Sequence, residues 1–324
     1  MRIITSALVI FIIVWSGFWW ITSNKVKNSV ESWLSKTDQT LNRSYYSVTS
    51  AGYPNRIDIN IENFSVNNRK YNFSVSSEFI QLLSLVYNQT HWLGVVKTPI
   101  ELKLKKSSFH ISGPPIKASI QSDRLNETDE LVSEGQDLEF RDLNNNKWIL
   151  KKFLLATKRE PRSTYLTHLS IKNLKIPSNF LHLKNSSQLV NQTIENISFD
   201  GKIHQDKYKK DSINNYETIN ITDLNAKMNW DLINIHLIGT VKFNEKGIIN
   251  GSFKLTLNDW QKILLAVESE NLLKKKLYQK IKAAVTFLAS QLPSQKSSLI
   301  TIPITIKDND LFLGPLKIGG IDLS

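Results

Sequence analysis

The sequence predicts an α+β, mainly β fold: an N-terminal transmembrane helix, then a large antiparallel, meander-rich β body with covering helices. Three patterns predict it. Ile3 to Ile21 is an unbroken apolar run, period-two alternation dominates from Ile57 to Leu257, and one long stretch from Trp260 keeps helical spacing.

The apolar run reads as a membrane anchor over residues 1–24. About twenty helical residues rise about 30 Å, the depth of a bilayer's hydrocarbon core, and a helix satisfies its own backbone there. Ile4, Leu8, Phe11 and Phe18 supply apolar surface, and Trp15, Trp19 and Trp20 crowd the C-terminal end just before the polar, basic Thr22–Lys27. Indoles prefer that level of a membrane. A cleaved signal peptide has a shorter apolar region and a small-x-small site; here Phe18-Trp19-Trp20 occupies that place. For orientation, Arg2 stands on one side and Lys25, Lys27 and Lys36 on the other, a count that favours a cytoplasmic body. A short charged N-terminus followed at once by a long apolar run has the layout of a signal anchor, whose body is exported. The exported arrangement is the expectation adopted.

Composition bounds the remainder. About 300 residues follow the anchor, enough for one large domain or two ordinary ones. The expected division is 25–185 and 186–324. There is no cysteine, which excludes disulfides, thiolate metal sites and cysteine nucleophiles. The net charge of +12 is a lysine surplus that fits a solvated surface or attraction to anionic headgroups near the anchor. Nucleic acid is not expected as a partner, because no Arg-rich helix or Gly-aromatic strand motif accompanies the charge.

After the anchor, Val26, Val30, Trp33 and Leu34 continue a helical face. Ile57, Ile59 and Ile61 then alternate with polar residues, followed by Tyr71, Phe73 and Val75, as in half-buried antiparallel strands. Ser77 to Tyr87 reads as a helix, with Ile80, Leu83 and Tyr87 on one side. Strand patterns resume at Ile100–Leu104, Phe109–Ile111, Ile116–Ile120, Trp148–Leu150 and Tyr165–Ile171. Asp123 to Asn146 is acidic, then Asn-rich, and reads as turns around one short strand at Leu138 and Phe140. Ile194 to Leu257 alternates with little interruption, with turn residues at Asn229–Asp231 and Asn244–Gly247, so a wide meander is expected. Trp260 to Leu292 reads as the longest helix of the body, capped by Asn258 or Asp259. Leu273, Leu277, Ile281, Ala284, Leu288 and Leu292 form its apolar stripe, opposite Lys274, Lys275, Lys280 and Lys282, and suit a helix covering a sheet. A charged membrane surface is the alternative place for it. Leu299–Ile306 and Leu311–Ile318 close the chain as a hairpin around Asp308-Asn309-Asp310.

No catalytic, cofactor-binding or metal-ligating residue is nominated. His91, His110, His168, His182, His204 and His236 are scattered without metal-ligand spacing. Neither a G-x-S-x-G elbow nor a phosphate-binding glycine loop is present. Carboxylates such as Glu78 and Asp137 could still meet in space, since glycosidase-like pairs leave little local trace.

Several short motifs carry a resemblance. Gly52-Tyr53-Pro54-Asn55-Arg56 leads into a strand, and Val86-Tyr87-Asn88-Gln89-Thr90-His91 follows the expected helix. Near the end, Gly247 to Asn258 leads into Asp259-Trp260, and Ile302-Pro303-Ile304 precedes Phe312-Leu313-Gly314-Pro315-Leu316-Lys317-Ile318-Gly319. Together they resemble the DUF2125 family of alphaproteobacterial proteins of unknown function, across essentially the whole chain. Asn55 and Gln89 depart from that pattern, standing where the family has an apolar residue and a proline. The resemblance implies an inner-membrane anchor, a periplasmic body and no established activity. It also implies structural roles for its recurring residues: Gly52 and Pro54 in a tight turn, Arg56 and His91 in polar pairing, Trp260 as an anchor of a helix on the sheet, Gly314-Pro315 as a strand break.

The expected function is therefore non-enzymatic, with no cofactor: an anchored module that binds a lipid or another envelope component. The alternatives are a periplasmic hydrolase with dispersed carboxylates and a scaffold for envelope proteins. A lipid-holding sheet should expose an apolar face beyond its closed core; a hydrolase should present a polar cleft with two carboxylates about 5 to 10 Å apart.

Overall fold

Strands close in sequence pair most readily, because a short turn costs less chain entropy than a distant pairing. A computed structural model of the chain shows how far that rule carries. It describes residues 2–36, 40–69, 72–105, 107–122, 128–161, 164–177, 192–211, 214–231, 233–244, 247–269, 273–291 and 298–321. Contacts divide the chain into two units, residues 1–147 and 148–324. The boundary expected near residue 185 lies outside the described residues.

The first unit begins with α1 (Arg2–Ser35), one continuous helix that joins the apolar run to the short helix expected after it. Its strands are β1 (Leu41–Ser44), β2 (Ser47–Ala51), β3 (Arg56–Asn68), β4 (Phe73–Leu85), β5 (Asn88–Val96), β6 (Ile100–Leu104), β7 (Ser107–Ser112), β8 (Ile116–Ser122) and β9 (Thr128–Asp142). All pair antiparallel, and the long strands carry two short ones end to end along an edge. β3 pairs with β2 over Asp58–Glu62 and with β1 over Ser65–Asn68. Its other edge takes β4, whose far edge is shared by β5 and β6. β8 and β7 follow, and β9 spans both.

Two expectations fail here. Ser77 to Tyr87 is not a helix but the second half of β4 and its turn. The run FIQLLSLVY matches helical spacing because both faces of this interior strand carry apolar residues, and such a run has no distinctive period. Its serines confirm the extended backbone's needs: Ser77 Oγ donates to the Lys97 carbonyl at 2.8 Å and Ser84 Oγ to the His91 carbonyl at 2.7 Å. Asp123 to Asn146 is not a set of turns around a short strand; from Thr128 it is the long strand β9. Pairing with β7 and β8 overrides a poor strand composition.

The second unit is a meander in strict chain order: β10 (Lys147–Glu160), β11 (Thr164–Lys175), β12 (Thr193–Asp211), β13 (Asn214–Trp230), β14 (Ile233–Asn244), β15 (Ile249–Asn258), β16 (Leu299–Lys307), β17 (Asp310–Leu313) and β18 (Leu316–Gly320). Between β15 and β16 the chain forms α2 (Trp260–Ser269) and α3 (Lys275–Ser290). One long helix was expected; Lys274, with ψ of 134°, divides it. Leu292 lies outside the described residues. Leu277, Ile281 and Leu288 pack with the buried Ala284 and Val285 against Trp230, Leu257, Ile300 and Ile302 of the sheet. The covering-helix arrangement thus holds. Farther along the same strands Leu224, Val241, Ile249 and Phe253 form a second cluster from sheet residues.

Tyr278 OH donates to Glu268 Oε2 at 2.7 Å and Lys282 Nζ donates to the same oxygen at 3.3 Å, tying α3 to α2. The tyrosine hydrogen bond, then the lysine, holds the Glu268 carboxyl below its ordinary value of 4.5. A depressed carboxyl contributes stability above its unfolded pKa and loses it as pH falls through the folded one. The stability advantage of wild type over Glu268→Gln is therefore expected near neutral pH and to vanish on acidification below the ordinary carboxylate range, as followed by denaturation of the full chain in micelles. Ala284 has no exposed surface, so Ala284→Leu is expected to cost about 1–3 kcal/mol by overpacking. An unchanged unfolding midpoint would contradict the packing of α3 on the sheet.

Candidate functional site

Gly52-Tyr53-Pro54-Asn55-Arg56 joins β2 to β3 in a turn that only glycine can open. Gly52 has φ of +98°, and a Cβ there would lie 2.8 Å from the Arg56 carbonyl oxygen and 2.9 Å from Asp58 Oδ1. Arg56 N closes the turn on the Gly52 carbonyl at 2.9 Å, and the Tyr53–Pro54 peptide is cis. Arg56 donates from Nε and Nη2 to the two oxygens of Asp58 at 2.7 and 2.6 Å. Asp58 is only 5 % exposed, so it depends on that bidentate partner. The hydrogen bond and charge of Asp58 hold the Arg56 guanidinium above its usual range.

Helix α1 lies against this turn. Trp15 Nε1 donates to the Pro54 carbonyl at 3.0 Å and Trp19 Nε1 to the Arg56 carbonyl at 2.7 Å. Ser16 Oγ and Tyr53 OH are 2.8 Å apart, and the Trp19 and Tyr53 rings meet edge to face at 5.5 Å. One turn after another, Trp15, Trp19, Val26, Val30 and Leu34 pack over Val48, Ile57, Ile59, Ile61, Ile80 and Leu82. Ser23, buried on the same stripe, is small enough to bring helix and sheet together. At the C-terminal end the Arg43 guanidinium covers the Trp33 ring at 4.4 Å. Ile4, Leu8, Phe11, Phe18 and Trp20 stay off the sheet and are exposed.

The second motif reaches the same place. Val86 N donates to the Asn55 carbonyl at 3.0 Å, and its buried side chain joins the cluster beneath α1. Tyr87 points outward, and Gln89 accepts from Trp92 Nε1 through its carbonyl at 2.8 Å. His91 Nε2 lies 2.9 Å from Ser119 Oγ across the β5–β8 pair. Both motifs thus build one corner of the sheet, against α1.

The face under α1 continues beyond it. A Cβ on Gly94 would touch Leu82 and Ala118 at 3.7 Å, which puts those three positions on one face. Alternation and register add Trp92 and Val96 of β5, Ile116 and Ile120 of β8, and Leu131 of β9. All are half-buried apolar residues, except the glycine.

The remaining motif residues lie in the second unit. Asp259 has φ of 48° and its carbonyl accepts the first helical bond, from Ile263 N at 3.1 Å. Trp260 packs on the sheet cluster under the helices. Gly314 (φ of +56°) and Pro315 make the β17–β18 turn, where Gly314 N donates to the Pro303 carbonyl at 2.8 Å. Gly319 pairs with Leu311 beside a bulge. The second unit also has a feature that local sequence did not signal. Thr164, His204, Asn220, Lys242 and Asn250 stand opposite one another across adjacent strands β11 to β15. With Ile221, Thr222, Thr240 and Val241 they line a concavity of about 540 Å³. His204 bridges Thr164 Oγ1 at 2.7 Å and Thr222 Oγ1 at 3.0 Å. No carboxylate lines it. Among the described residues no group of three or more His, Asp or Glu is placed to hold a metal ion. Glu78 and Asp137 lie on β4 and β9, which are not neighbours.

Gly52→Ala is expected to destabilise the fold by about 1–3 kcal/mol through its left-handed φ and the contacts under 3 Å. Arg56→Ala should also destabilise by stranding Asp58, and adding Asp58→Asn should recover part of that loss. Denaturation of the variants in micelles checks the pair; additive losses would contradict the coupling.

No curated protein matches the chain. The profile of DUF2125, described as an uncharacterized protein conserved in bacteria, matches residues 19–322, from Trp19 of α1 to beyond the final strand. With nearly its whole length matched, the chain belongs to the DUF2125 family.

Proposed function

We propose that the chain is a bacterial inner-membrane protein with one N-terminal span and a periplasmic body, and that it holds a lipid or another apolar envelope component without catalysing a reaction. The span is supported by α1, which is long and apolar enough to cross a membrane, as a signal sequence also is. Periplasmic placement is supported by the signal-anchor character of the apolar run, although the flanking Lys/Arg count alone points the other way. The observation that carries lipid holding is the apolar face that runs from under α1 through Trp92, Val96, Ile116, Ile120 and Leu131. Such a face, contiguous with a membrane helix, offers an acyl chain a path from bilayer to protein at about 25 cal/mol per Å² buried. The hydrolase alternative needs two carboxylates in a cleft, and the concavity of the second unit has none in its lining.

The full chain, extracted in mild detergent and analysed by native mass spectrometry with lipid extraction, is expected to retain near-stoichiometric phospholipid or another apolar ligand. Ile120→Glu should abolish the retention. An apo mass with no uptake on incubation with lipid would overturn the reading and favour a scaffold for envelope proteins. Since the chain lacks cysteine, a single Leu143→Cys gives the orientation: a membrane-impermeant thiol reagent that crosses the outer membrane should label it in intact cells.

A further inference from the structure

We infer that the Gly52–Arg56 turn and the neighbouring Leu85–Asn88 turn sit within the headgroup layer of the bilayer, so that the lipid surface is itself a binding partner of the body. The inference rests on the reading of α1 as a membrane span. From Ile3 to Val14 the helix rises only about 18 Å, well short of a hydrocarbon core of about 30 Å. The apolar run reaches about 28 Å only when Trp15 to Ile21 are counted. Those residues are the ones that meet the turn: Trp15 and Trp19 donate to the carbonyls of Pro54 and Arg56. At the same level Phe18 and Trp20 remain 46 % and 64 % exposed, on the side away from the body. One side of the helix faces protein and the other faces lipid at one depth.

The chemistry of the corner suits that depth. Tyr53 and Tyr87 are 52 % and 67 % exposed, Leu85 is exposed beside them, and the Arg56 side chain is more than half exposed. Exposed tyrosine, leucine and arginine next to a tryptophan belt are the composition of a membrane interface. Two turn carbonyls are satisfied by indole N–H groups, which matters where water is scarce. The docking also fixes which end of the first sheet meets the membrane: Asn67, paired with Ser74 of β4, lies about 36 Å from Leu85 along that strand.

Single cysteines at Tyr87, Leu85, Asn67 and Phe11, each carrying an environment-sensitive fluorophore, test this in the full chain reconstituted into phosphatidylethanolamine–phosphatidylglycerol vesicles. Tyr87→Cys and Leu85→Cys should show blue-shifted emission quenched by a headgroup-nitroxide lipid. Phe11→Cys should be quenched by a chain-nitroxide lipid, and Asn67→Cys by neither. Aqueous emission at positions 85 and 87 with a buried Phe11 probe would overturn the inference and leave the span standing. Aqueous emission at all of them would overturn both, and immersion of the Asn67 probe would overturn the assigned end.

Discussion

The first unit depends on the docking of one stripe of α1 onto the apolar face of β2, β3 and β4. That stripe starts inside the hydrophobic run, at Trp15, and continues through Ser23 to Leu34 in the polar half of the helix. The polar half of the helix draws its stability from tertiary packing of this stripe. The sheet, in turn, would expose Ile57, Ile59 and Ile61 without it. Each element thus covers the surface the other cannot leave in water, and the long apolar helix becomes part of the folded body.

The polar groups at that contact decide its position along the helix. Indole N–H groups are costly to bury without acceptors, and the β2–β3 turn presents two carbonyls at the spacing of Trp15 and Trp19. The turn can do so because Gly52 adopts a left-handed conformation and the Arg56–Asp58 pair braces its exit. In the second unit the same problem of a one-sided sheet is met differently: α2 and α3 cover one stretch of the meander, and a second cluster of sheet residues adjoins it.

Much of this was legible in the sequence, and what was not has physical causes. The apolar run, the alternation of Ile57-Ile59-Ile61, the meander from Ile194 and the helical stripe through Ala284 each follow from one period dictated by one environment. β4 escaped because an interior strand apolar on both faces imitates helical spacing. β9 escaped because its carboxylates blur the alternation of apolar and polar positions, and its pairing with β8 and β7 supplies what the composition does not. The meeting of the Gly52–Arg56 and Val86–His91 motifs could not be read, since it rests on the β3–β4 register. The polar row from Thr164 to Asn250 is likewise a product of register, with each residue an ordinary polar position of its own strand. Asp58 looked like the solvent side of an alternating strand; only the arginine two residues earlier explains its burial.

The central claim is that α1 and the first sheet form one rigid piece. The most direct measurement is the distance distribution between nitroxides on Asn24→Cys and Asn67→Cys, taken by pulsed electron spin resonance with the cysteine-free full chain in lipid nanodiscs. The account predicts a single narrow distribution that broadens when Trp15 and Trp19 are both replaced by alanine. A broad distribution with both tryptophans in place would mean that the helix is a loose tether and would contradict it.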